Sequence, residues 1–121
     1  MGAALVCSGL ASSGPEGCEN GCPKVEVMME RLLDVNPHLR LTPVPEGITL
    51  ENVEELVEES DFIVEMLDFS AVREKVALHR AARARGRSVL TSPSVINGAV
   101  LYVFSPEGVT FEEFIEYEEG L

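Results

Sequence analysis

The hydrophobic positions of this chain follow helical spacing in some segments and strand spacing in others. From Lys24, apolar residues recur at intervals of three and four with carboxylates between them, which predicts an amphipathic helix. Its core-facing residues would be Val25, Met28, Met29, Leu32 and Leu33. A shorter, acidic helix is predicted after Thr49, and we expect Thr49 to be its N-cap.

The second half of the chain alternates strand and helix patterns. Residues 61–67 are mostly apolar and predict a buried strand, and residues 71–85 are rich in alanine and arginine and predict a helix that ends at Gly86. Short strands are predicted within residues 38–44, 88–91 and 95–104. Thr110 and Glu113 form a capping box that opens a last helix. This alternation indicates an α/β fold with a largely parallel sheet.

The first part of the chain differs from the rest in composition. Residues 1–22 are rich in glycine and serine, which predicts an irregular segment with, at most, a short strand near Leu5. We expect residues 23–121 to form one α/β domain, since 121 residues are enough for a single domain.

Charge and hydropathy exclude several classes of function. A formal charge of −12 argues against nucleic-acid binding, which needs a basic surface. The longest apolar runs fall short of the roughly 20 residues that span a bilayer, so we expect no membrane segment and a cytoplasmic protein. Six of the nine basic residues lie within residues 73–87. We expect these basic residues to form either a solvated helix face or a surface that contacts an acidic partner or the acidic tail of the chain, residues 112–119.

The cysteines are too few to predict a metal site. Their odd number, three, fits reduced thiols better than disulfides. Cys18 and Cys22 could form half of a zinc site, but a tetrahedral site needs four ligands and both histidines lie at unrelated spacings. We therefore do not expect zinc.

Asp68 is the residue most suggestive of chemistry, because ligands of open parallel sheets bind beyond the carboxyl ends of the strands. Asp68 follows a predicted strand, where its carboxylate could bind Mg²⁺ or simply cap the next helix. Arg73 lies about one and a half helical turns further on, where it could reach a phosphate or be an ordinary surface arginine. The sequence holds neither a P-loop nor a Gly-x-Gly-x-x-Gly fingerprint. His79 is expected to be solvated.

Several segments together resemble a known family. Residues 21–38 carry a Gly-x-x-Lys turn and a helix that stops at Leu-x-x-Asn-Pro, and residues 47–56 follow as a connection. Residues 61–68 form a strand that ends in aspartate, and residues 104–114 resemble a tail found where phenylalanine follows that aspartate, as Phe69 does here. In order and spacing, these motifs resemble the ThiF/MoeB/HesA family, which is related to ubiquitin-activating enzymes.

The resemblance implies a Rossmann-like, partly parallel sheet with flanking helices, truncated relative to the family. It also implies an adenylyltransferase that uses ATP and Mg²⁺ to activate a carboxylate, such as the C-terminus of a ubiquitin-like sulfur-carrier protein. In such a domain Lys24 would approach the nucleotide phosphates, Asp68 would hold Mg²⁺ and Arg73 would support them.

This sequence matches the family's glycine-rich phosphate loop only weakly. Gly9 falls on one loop glycine, and Lys24 follows it by 15 positions, too few for the family's next strand, helix and arginine segment. We therefore expect activity only in a homo-oligomer or with a complementing chain. The alternative is a non-catalytic dimerisation or partner-binding module that keeps the family scaffold.

Overall fold

The computed structural model describes residues 2–6, 23–68 and 70–119. The chain divides into two compact units, residues 1–49 and residues 50–121. Both combine strands with helices, which confirms the predicted α/β class with partly parallel sheets and flanking helices. The expected boundary at residue 22, like Phe69, lies outside the described residues. No described helix is long and apolar enough to span a bilayer.

The first unit pairs two parallel strands with one helix. The elements are β1 (Gly2–Val6), α1 (Lys24–Val35) and β2 (Arg40–Val44), with Gly2 opposite Arg40 and Val6 opposite Val44. Helix α1 follows Pro23, whose fixed φ suits a helix start, and ends before Asn36, as predicted.

The predicted core face of α1 is only partly right. Val25 is buried, and so is Val27, which the helical spacing had placed off the core face. Met28 and Leu33 are instead exposed at 41% and 37%. Two short strands cover only a small part of a 12-residue helix, so the first turn supplies most of its contribution to the core.

The second unit holds the remaining elements. They are α2 (Val53–Glu58), β3 (Ile63–Glu65), α3 (Val72–Ala84), β4 (Val89–Thr91), β5 (Ser94–Val95), β6 (Gly98–Ala99), β7 (Tyr102–Phe104) and α4 (Phe111–Ile115). The N-cap of α2 is Asn52, so the prediction that Thr49 caps it is wrong. Helix α3 ends just before Gly86, whose φ of 65° is the left-handed conformation that ends many helices.

The three-stranded sheet of the second unit has one covered face and one exposed face. Strand β3 runs parallel to β4, and β7 runs antiparallel to it. Successive side chains of a strand point to opposite faces of the sheet. Val64, Leu90 and Val103 are paired in register and lie on one face, and Val89 lies on the other face with its partners Ile63 and Phe104. Val64 and Val103 are 58% and 60% exposed. Residues 61–67 thus contain the predicted strand, Ile63–Glu65, but the prediction that it is buried is wrong for the face that carries Val64.

The covered face packs against helices. The buried apolar residues on this side are Val53, Val57, Val76, Leu78, Ala81, Ala82, Val89 and Phe111. Helix α4 begins with the predicted capping box, in which the Thr110 hydroxyl accepts from the Glu113 amide at 3.1 Å and the Glu113 carboxylate accepts from the Thr110 amide at 2.9 Å. Phe111 of α4 and Phe104 of β7 meet edge to face, with ring centres 5.6 Å apart.

Candidate functional site

Asp68 lies in the loop between β3 and α3, at the carboxyl ends of the two parallel strands. Its side chain is exposed, and its Oδ1 accepts a hydrogen bond from the Ser70 amide at 3.2 Å. Its carbonyl accepts from the Ala71 amide at 3.0 Å. The N-cap of α3 is Ala71, so Asp68 shapes the loop before the helix and does not cap it.

Arg73 and Lys24 are both exposed at helix starts. Arg73 is the second residue of α3, and it forms no ion pair with any other residue that the structure describes. The β3–α3 connection thus brings Asp68 and Arg73 to the same end of the second unit. Lys24 is the first residue of α1 and belongs to the first unit.

Asp68 suits Mg²⁺ better than it suits zinc. The described residues contain no group of three or more histidine, cysteine, aspartate or glutamate side chains that could hold a metal ion. Magnesium, however, usually binds proteins through one or two carboxylates and takes its other ligands from water and substrate phosphates. A single exposed carboxylate at the carboxyl ends of parallel strands fits that pattern. The three cysteines lie outside the described residues.

Below this loop lies a buried polar cluster that the sequence did not reveal. Glu65, the last residue of β3, is only 2% exposed. Its Oε1 lies 3.4 Å from the Lys75 ammonium and accepts a hydrogen bond from the Leu67 amide. Its Oε2 lies 3.8 Å from Nε2 of His79. Lys75 and His79 are four residues apart on α3, so both face the same carboxylate.

The surroundings of Glu65 favour its ionised form. Burial by itself would raise the pKa of this carboxyl. The side chains of His79 and Thr91, the Leu67 amide and the charge of Lys75 more than offset burial and hold the pKa of Glu65 below its ordinary range. At neutral pH the cluster therefore contains a carboxylate, which is the form that accepts hydrogen bonds.

His79 is buried, and the expectation that it is solvated is wrong. Its ring stacks on Phe111 with centres 4.2 Å apart, and it meets Phe104 edge-on at 5.0 Å. Packing of α4 against α3 covers it, and this contact joins segments about 30 residues apart, beyond the reach of local patterns. The one local signal is the spacing of Lys75 and His79, which places both on one helix face.

The arginines in the second half of α3 and just after it have partners within the chain. Arg80 pairs with Glu112 and with Glu119, the latter at 2.7 Å, and these carboxylates raise the pKa of Arg80. Arg85 pairs with Glu54 of α2, and Arg83 donates to the Gly108 carbonyl at 2.8 Å. The basic segment was expected to be either a solvated face or a surface that contacts acidic residues. For Arg80, the structure shows contact with the acidic tail.

A shallow cleft of about 270 Å³ lies beside these arginines. Arg80, Arg83 and Arg87 form part of its wall, and Phe104 and Phe111 supply apolar surface. Arg87 lies 3.8 Å from Asp61, at the amino end of β3. The cleft is therefore at the opposite end of the strands from Asp68, and the two are separate features of the unit.

Comparison with known proteins gives three consistent similarities. The family model described as ThiF family matches residues 16–119. The sulfur carrier protein ThiS adenylyltransferase of Escherichia coli (strain K12) is 29% identical over 84 residues, which are 69% of this chain and 33% of that protein. A crystal structure of selenomethionine PaaA aligns with a TM-score of 0.59 and 19% identity, over 74% of this chain and 29% of that chain, which supports the fold alone. The chain thus spans about a third of the length of these relatives.

Proposed function

Because this chain belongs to the ThiF family, we propose that its adenylyltransferase-like domain takes part in the ATP- and Mg²⁺-dependent activation of a carboxylate. The observation that carries this proposal is the position of Asp68. Its carboxylate is exposed at the carboxyl ends of two parallel strands, where such sheets bind ligands, and Arg73 opens the following helix.

The proposed reaction needs positive charge close to the phosphates of ATP. A carboxylate oxygen attacks the α-phosphorus of ATP, the new bond gives an acyl adenylate, and the bond to the β-phosphate breaks and releases pyrophosphate. Negative charge develops on the phosphate oxygens during this step. Within the second unit, Arg73 would offer a cationic group to the phosphates, and Asp68 would hold Mg²⁺, which neutralises phosphate charge when bound.

We propose a protein C-terminus as the carboxylate substrate. The similarity to a ThiS adenylyltransferase supports a ubiquitin-like sulfur carrier, with other carboxylates as the alternative. Since this sequence holds neither a P-loop nor a Gly-x-Gly-x-x-Gly fingerprint, we propose that a second copy or a complementing chain completes the nucleotide site. The reaction would take place in the cytoplasm, where ATP is abundant and the three thiols would stay reduced.

Calorimetric titration with Mg²⁺-ATP tests this proposal. Asp68→Asn keeps the side-chain shape and removes the charge, so its affinity should fall by at least about tenfold, as expected for loss of a charged metal ligand. Asp61→Asn is the matched control, because Asp61 is also exposed but lies at the other end of β3. We expect Asp61→Asn to bind as the wild type does. Equal binding by both variants would contradict the role of Asp68, and no binding by the folded wild type would contradict nucleotide binding without a complementing chain.

A second candidate function is a non-catalytic module that binds another copy of the chain. The exposed face of the three-stranded sheet favours it, because Val64, Met66, Leu101 and Val103 are between 58% and 73% exposed. Exposed apolar patches mark association surfaces, and in a chain of charge −12 an uncharged row of side chains lets two copies meet with less repulsion than a charged one would.

Mass measurement at micromolar concentration distinguishes this second candidate. A dimer that becomes monomeric on Val103→Lys, while Thr42→Lys on exposed β2 has no effect, would support association through the sheet face. A monomeric wild type would contradict it. Dimerisation without any binding of Mg²⁺-ATP would favour the module over the enzyme.

A further inference from the structure

We infer that Glu65 is the positioning residue of the candidate site, and that its hydrogen bond with the Leu67 amide fixes where the Asp68 carboxylate lies. This inference rests on the role proposed above for Asp68. It gives the buried cluster a function that the reaction itself does not assign to it.

Among the described residues of the loop that carries Asp68, few other contacts hold it in place. Met66 is 73% exposed, and the side chains of Asp68 and Ser70 are exposed as well. The hydrogen bonds from Ser70 and Ala71 to Asp68 are internal to the loop. They set its local shape, but they do not tie it to the sheet. The bond between Glu65 and Leu67 joins the start of the loop to a buried side chain of the sheet.

Glu65 is itself held from two directions. Lys75 and His79 contact it from α3, and Thr91 contacts it from β4. Lys75 also lies two residues after Arg73, so the same ion pair fixes the helix start that carries Arg73. One carboxylate thereby links the positions of the two exposed groups, Asp68 and Arg73. A binding site needs this kind of support, because small misplacements of its ligands weaken it strongly.

A buried ion pair is a poor means of gaining stability alone. Taking both charges out of water offsets most of their attraction, and apolar residues of similar volume often stabilise a core as well or better. The acceptor function of Glu65 explains why a carboxylate suits this position, since an apolar side chain cannot accept from the Leu67 amide.

Two substitutions separate positioning from stability. Glu65→Gln and Glu65→Met have similar size and both lose the charge, but only glutamine keeps an oxygen that can accept from Leu67. Both leave the Lys75 ammonium buried opposite a neutral side chain, so both should lower the melting temperature. The same two variants are therefore also made with Lys75→Met, which removes that ammonium and leaves an apolar side chain of similar length.

The experiment measures Mg²⁺-ATP affinity by calorimetry and hydrogen exchange of the Leu67 amide by NMR in each protein. We expect Glu65→Gln to stay within about threefold of its parent in both quantities. Glu65→Met should bind at least about tenfold more weakly, and its Leu67 amide should exchange at least about tenfold faster.

Equal values for the glutamine and methionine variants would overturn the inference, because a purely structural role changes both alike. If the parent chain binds no Mg²⁺-ATP, nucleotide binding by this chain alone is contradicted. The Leu67 exchange rates then decide the positioning role by themselves.

Discussion

The two ends of α3 use their arginines in different ways. At its carboxyl end, Arg80 and Arg85 pair with carboxylates of α4, the acidic tail and α2, and Arg83 is bound to a backbone carbonyl. At its amino end, Arg73 is exposed and has no ion-pair partner among the residues that the structure describes.

This difference separates charges that hold the fold from charges that are available to a ligand. Of the other cations on α3, Lys75 and Arg80 form ion pairs with described residues and Arg83 donates to a carbonyl. Arg73 lies two residues before the buried Lys75 and close to Asp68 in the sequence, and it has no ion pair among the described residues. It is therefore the α3 cation best placed to meet a phosphate. Substitutions at each end of α3 can test whether one end holds the fold and the other is available to a ligand.

The largest effect on stability is expected from substitution of Glu65, which supports the amino end of α3. Glu65→Ala should lower the free energy of unfolding by about 3–5 kcal/mol, because it leaves the Lys75 charge buried without its carboxylate. Urea unfolding at neutral pH measures this, and Glu65→Ala with Lys75→Met should recover part of the loss. A change below about 1 kcal/mol would show that the cluster does not support the fold.

Low pH should weaken the stabilising interactions of Glu65. Because the pKa of Glu65 is lower in the folded protein than in the unfolded chain, its ionised form stabilises the fold at neutral pH. That contribution should disappear as the pH falls below about 4.3 and through the folded-state pKa. Unfolding free energies measured from pH 7 to pH 3 should therefore fall more steeply for the wild type than for Glu65→Gln. Parallel curves would contradict the shift.

A pair of arginine variants compares the two ends directly. Arg73→Met should weaken Mg²⁺-ATP binding roughly tenfold, the effect of losing one charge-assisted contact, and leave the melting temperature unchanged. Arg85→Met, which loses only its pair with Glu54, should lower the melting temperature slightly and leave binding unchanged. The reverse pattern would mean that the ligand binds at the carboxyl end.

The smallest effect concerns the helix that covers the carboxyl end. Thr110→Ala removes the N-cap of α4 and should cost about 1 kcal/mol in unfolding free energy, whereas Thr110→Ser keeps the hydroxyl and should cost little. Neither variant should change Mg²⁺-ATP affinity. A loss of affinity in Thr110→Ala alone would show that the two ends are coupled.

Local patterns in the sequence predicted what local forces determine. The helical spacing after Lys24, the glycine after α3 and the Thr110 capping box all correspond to observed features, because each depends on neighbours within one or two turns. Asp68 was found by its place after a strand and by family resemblance. Its exposure and the Arg73 helix start agree with that prediction, which stays untested as a metal site.

The covered and exposed positions could not be predicted in the same way. Glu65 lay within a strand that was predicted to be buried, but nothing in the sequence indicated its partners, and His79 was expected to be solvated. Both are buried because α3 and α4 pack over one face of the sheet, a contact between segments distant in sequence. Val64 and Met66 looked buried and are exposed for the same reason, since they lie on the opposite face.

Binding of Mn²⁺-ATP followed by amide NMR tests the central claim most directly, because bound Mn²⁺ broadens only the resonances close to it. If Asp68 holds the metal, the amides of Leu67 and Ser70 should broaden, and those of Gly86 and Arg87 at the other end of α3 should stay sharp. Broadening at Gly86 and Arg87 instead, or at neither end, would contradict a metal-nucleotide site at Asp68.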